Sequence, residues 1–68
     1  MIEFLEAERR IAECNALIER QRQVIEKLRG EGADITSAKI VLDSLYLSLS
    51  IHVRDRHQLR ARLNIKTA

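Results

Sequence analysis

Three kinds of side chain in this 68-residue sequence most invite a chemical reading: one thiol, two imidazoles and a run of guanidinium groups. Cys14 is the only cysteine, and His52 and His57 are the only histidines. If the chain doubles back near residue 32, position 52 comes opposite residues 11 to 14, and position 21 opposite the middle 40s. Cys14 and His52 then approach each other, and an imidazole beside a thiol is the pairing that yields an activated thiolate. Catalysis also requires an orienting third group and a cleft to hold a substrate. Two helices offer little concavity, so the expectation is no catalytic residue and no enzyme, with Cys14 a small packed side chain and His52 a hydrogen-bonded one.

His52 and His57 stand five residues apart, about 140° around a helix of 3.6 residues per turn. They cannot hold one ion from one helix face, as an i,i+4 pair can. Adding Asp55 or Cys14 gives no recognised ligand spacing, so neither a metal nor any other cofactor is expected.

The guanidinium groups invite a nucleic-acid reading. Arg54, Arg56, Arg60 and Arg62, with His57 and Lys66, crowd the C-terminal end, and Arg20, Arg22, Lys27 and Arg29 lie in the first half. A Rop-like RNA- or DNA-binding helical bundle working through Arg54, Arg56, Arg60 and Arg62 is therefore the alternative function. The formal net charge of +2 is small, and Phe4 and Tyr46 are the only aromatics, so base stacking is barely available. Cations near a helix C-terminus are also favoured by the dipole. Nucleic acid is thus a possible partner, not the favoured one.

The elements that position these groups follow from periodicity. Phe4, Ala7, Ile11, Cys14, Ile18, Gln21, Ile25 and Leu28 step by three and four without a skip, which puts them on one stripe of a helix. Good helix formers fill the positions between them, and the chain has no proline. Glu6–Arg10 and Glu26–Arg29 add i,i+4 and i,i+3 pairs. The only two glycines, Gly30 and Gly32, mark the end of this helix. Asp34 is placed to cap the next one by accepting from the amides of Thr36 or Ser37.

The second half carries two patterns. Leu45, Leu47, Leu49, Ile51 and Val53 alternate with polar residues as in a strand. Ala38, Leu42, Leu45, Leu49, His52, Arg56, Leu59 and Leu63 step as in a helix over a longer run, and that length decides for helix. The fold class predicted is all-α: an antiparallel two-helix hairpin, helical over about 2–30 and 35–63, with residues 1–68 forming one domain.

Within this frame Ile11-Ala12, Arg20-Gln21-Arg22, the Gly32-Ala33-Asp34 turn and Ser48-Leu49 followed by His52 resemble a group of short, uncharacterised proteobacterial helical-hairpin proteins. The resemblance spans residues 8–63. It implies a bacterial helical hairpin and carries no known activity.

One helix cannot cover all the apolar surface of the second. Beyond the main stripe, Ile40, Leu47 and Ile51 form another, and a second exposed stripe on a small protein marks an interface. The expected interface, with a second copy or a partner, is Ile40, Leu45, Leu47, Leu49 and Ile51. Gln21 and His52, polar at core positions, would set the register. Homodimerisation into a four-helix bundle is the simplest closed arrangement, with a heterologous protein as the other possible partner. A chain this short needs a staple, and a lone cysteine excludes an intrachain disulfide. No apolar run reaches the ~18 residues of a membrane span, and the acidic start is unlike a signal peptide. The expectation is a cytoplasmic protein-interaction or regulatory module without a membrane partner.

Overall fold

The structure, a computed structural model, describes the backbone of residues 2–67 and the side chains of residues 2–63. It consists of two helices, α1 (Ile2–Gly30) and α2 (Thr36–Thr67), packed side by side as an antiparallel hairpin 56 Å long and 14 Å across at the Cα atoms. Lys66, grouped above with the C-terminal cations, falls outside the residues whose side chains are described. Among the described residues there is no strand: the alternating run from Leu45 to Val53 lies wholly within α2. Its alternation has nothing to pair with, whereas the three-and-four repeat finds a complementary stripe on α1. The second helix runs four residues past Leu63, since the chain has neither proline nor glycine there to stop it.

The seam is the one the heptads define. On α1, Ala7, Ile11, Cys14, Ile18 and Ile25 are buried, and Phe4, Gln21 and Leu28 are half-buried. On α2, Ala38, Leu42, Leu45, Leu49, His52, Arg56, Leu59 and Leu63 are all half-buried, preceded by Ile35. Two exposed ion pairs predicted from spacing, Glu6–Arg10 at 4.0 Å and Glu26–Arg29 at 3.7 Å, are joined by Arg9–Glu13 at 3.7 Å. Such surface pairs contribute little each.

The turn is built by backbone geometry. Gly32 takes a φ of +72°, the left-handed conformation that glycine adopts without a Cβ penalty. The amides of Gly32 and Ala33 then donate back to the carbonyls of Arg29 (3.1 Å) and Leu28 (2.9 Å), a Schellman ending. Gly30 is still helical and needs no such freedom. Asp34 precedes α2, its Oδ1 accepting from the Thr36 amide at 2.9 Å and the Thr36 hydroxyl at 2.6 Å.

This turn corrects the expected register. Gln21 faces Ala38 rather than the middle 40s, and Cys14 faces Leu45. The same stagger carries His52 to the level of Ala7, below residues 11 to 14. The Schellman ending folds the chain back over the last turn of α1. By residue 33 it has already returned to the level of Leu28, so every facing residue of α2 lies about five positions earlier than a symmetric pivot at residue 32 would give.

Candidate functional site

Two side chains of the seam, Gln21 and Cys14, bond across it to the backbone of α2. Gln21 Nε2 donates to the Ala38 carbonyl at 3.0 Å, and the Cys14 thiol donates to the Leu45 carbonyl at 3.3 Å. These bonds lie seven residues apart on both helices, so sliding one helix past the other breaks both. Small residues make room for the larger ones: Ala38 faces Gln21, and Ala7 lies at the level of His52. No buried side-chain nitrogen or oxygen among the described residues is left without a partner. Cys14 is buried with a carbonyl as its acceptor, and it lines the same shallow groove as His52.

The C-terminal arginines do not gather on one face. Arg56 is half-buried on the seam, and Arg60 lies over the Phe4 ring at 5.7 Å from its centroid. Arg54 and Arg62 point outward, about 80° apart at 100° per residue. His52 faces the seam and His57 the solvent. Among the described residues no three His, Cys, Asp or Glu side chains cluster as metal ligands. Depressions along the hairpin are open grooves, one of them about 280 Å³ and lined by Glu3, Arg10, His52, Asp55 and Arg62. The carboxyl of Asp34 is held below the ordinary 3.8, first by the Thr36 hydroxyl and then by its amide.

The apolar residues outside the seam are more telling. Ile40, Leu47 and Ile51 are 60%, 64% and 51% exposed and share the face of α2 turned away from α1. Leu45 and Leu49, grouped with them from sequence, lie on the seam instead. The five residues named as one contact surface therefore divide between the outer face and the hairpin's own core. Sequence reasoning missed Leu17 and Val24 of α1, exposed beside the seam on the same side as Val41 of α2. A signal was present, because each directly precedes a buried isoleucine, Ile18 or Ile25, and so must lie at the edge of the stripe. Tyr46 and Val53 occupy the opposite edge.

The total area makes the same point. A folded monomer of 7.9 kDa is expected to expose about 4,400 Å². This hairpin exposes 5452 Å², about 1,000 Å² more. One partner in a standard interface loses about 800 Å². The excess is thus of the size that a second chain would cover. Among the described residues no helix is long and apolar enough to cross a membrane. No known protein family, curated protein or solved structure matches the chain.

Proposed function

We propose that this protein is a small cytoplasmic helical module that works by binding protein, and that it does so as a homodimer. What supports the reading is the surplus apolar surface of α2, led by Ile40, Leu47 and Ile51. Contiguous exposed apolar residues on a small protein mark an interaction surface. The hairpin alone is a rod with one seam, and a second copy is the simplest closed way to cover the apolar surface nearest that seam. Gln21 and Cys14, bonded across the seam, hold the two helices in the alignment on which any such surface depends. Leu45 and Leu49 serve it from within, by anchoring α2 to α1.

The test is the solution mass by light scattering behind gel filtration, with absorbance at 260 and 280 nm on the same peak. A species of twice 7.9 kDa, free of nucleic acid, is expected. A monomer at micromolar concentration would contradict the homodimer and leave the α2 surface to a different protein. Co-eluting nucleic acid would favour the Rop-like alternative instead.

A further inference from the structure

We infer that the second copy packs antiparallel against one side of the hairpin, with α1 beside its symmetry mate and Leu17 next to the two-fold axis. This deepens the homodimer reading and rests on it.

A column of charge runs along α1. Glu6, Glu13, Arg20 and Lys27 recur every seven residues, so they line up along one side of the helix. All four are exposed. The first two are acidic and the last two basic. Such a column is complementary to itself when a second copy runs the other way: Glu6 faces the partner's Lys27, and Glu13 faces the partner's Arg20. Both pairings are centred on one level, between Ala16 and Leu17. A parallel arrangement would instead set like charges side by side. Beside the column run the exposed Leu17 and Val24, giving the contact apolar residues at and near its centre.

The second helix supplies an independent coincidence. With Cys14 opposite Leu45 and Gln21 opposite Ala38, the level between Ala16 and Leu17 lies opposite that between Leu42 and Asp43. On the same side of the hairpin α2 presents Ser37, Val41, Ser44 and Ser48. These four are symmetric about that same level, with Val41 facing the partner's Ser44 and Ser37 the partner's Ser48. A single two-fold axis therefore satisfies α1 and α2 at once. Ser44 already donates to its own helix, to the Ile40 carbonyl at 3.1 Å, so covering it strands no hydroxyl. Small residues there let the two α2 helices approach closely, since the distance between helix axes is set by the side chains at the contact. Ile40 and Ile51 then close over the edge of that contact. The floor of the face is the groove of about 350 Å³ lined by Cys14, Leu17, Leu45 and Ser48. A standard interface would take about a seventh of the 5452 Å² surface, within what one side of two helices provides.

A charge-reversal mixing experiment tests this arrangement. Glu13→Lys sets an ammonium against the partner's Arg20, and Arg20→Glu sets a carboxylate against the partner's Glu13. Each variant alone should dimerise at least about tenfold more weakly, since the two-fold axis repeats every repulsion. Mixed in equal amounts they should restore a dimer, because a heterodimer of the two carries only opposite pairs. The mixture does not repair the intrachain Arg9–Glu13 pair, so recovery reports the contact between chains. If the unaltered protein is a dimer and neither reversal weakens it, this face is overturned while the homodimer stands. If the unaltered protein is a monomer, the homodimer itself has failed. A second probe is Leu17→Cys in a Cys14→Ser background, with oxidised glutathione as oxidant. Residue 17 next to the axis should give a covalent dimer rapidly, and Leu47→Cys in the same background should not. A faster cross-link through position 47 would overturn the proposed face.

Discussion

On α1 the residue types are sorted by face: apolar residues fill the stripe toward α2, and charges take most other positions. The stripe is complete enough that five of its members are buried by a single neighbour. On α2 no described side chain reaches that degree of burial, though its stripe is just as long, and apolar residues recur on every other side. The two helices share one seam, so the seam alone cannot account for the composition of both. Apart from Leu17 and Val24 at its edge, the seam takes up most of the apolar residues in the body of α1, whereas α2 leaves Ile40, Val41, Tyr46, Leu47, Ile51 and Val53 exposed. This is the physical reason for placing a second chain against the hairpin.

The largest expected effect contrasts the seam with the outer face. Ile18→Ala removes a buried side chain that has little room to collapse and should lower the unfolding free energy by about 3 kcal/mol. Leu47→Ala, at the outermost edge of α2, should cost about 0.5 kcal/mol or less. Urea denaturation of both at one concentration decides the matter. Equal losses would mean that the outer face of α2 is as enclosed as the seam.

Alignment between the helices comes next. Gln21→Ala removes the bond to the Ala38 carbonyl and should cost about 1 kcal/mol. Removing the amide should also loosen the register, seen as faster amide exchange in the first turns of α2 than in the rest of the hairpin. Unchanged exchange would assign Gln21 to packing alone.

The turn gives two changes of opposite sign. Gly30 is helical with open space around its Cα, so Gly30→Ala should raise stability by about 0.5–1 kcal/mol. Gly32 has equal space but a φ of +72°, so Gly32→Ala should lower stability by about 1 kcal/mol, as strain outweighs the gain. Thermal denaturation of the pair tests whether conformation or crowding governs the turn.

The smallest effect belongs to Asp34. Its folded carboxyl titrates below 3.8, so its ionised form stabilises the start of α2 at pH values above that of the unfolded chain. That contribution should hold from neutral pH to about pH 4 and fade as the pH drops through the lowered value. Asp34→Asn should remove this part of the acid dependence while still capping α2. An unchanged acid titration would assign the loss of stability to other carboxyls.

Much of the fold was legible because the heptad repeat on α1 and the matching one on α2 are uninterrupted. Each half-buried or buried seam residue from Phe4 to Leu63, apart from Ile35, belongs to a stripe that periodicity picks out. The stagger was not legible, because it depends on how far the Schellman ending doubles back, and that is set by the hydrogen bonds of Gly32 and Ala33. The candidate contact surface was legible in part. Ile40, Leu47 and Ile51 were separable from the seam by spacing, whereas Leu45 and Leu49 fit both the alternating and the helical pattern. Leu17 and Val24 were hidden at the edge of the α1 stripe, where an apolar residue reads as a wider core until the neighbouring helix is in place.

The most direct test of the account is the melting temperature of the unaltered protein across a hundredfold range of concentration. If a second copy completes the surface of α2, folding and association are linked, and the melting temperature should rise by on the order of 10 °C over that range. A melting temperature that does not move with concentration would show that the hairpin holds its apolar surface without a second copy, and would contradict the account at its centre.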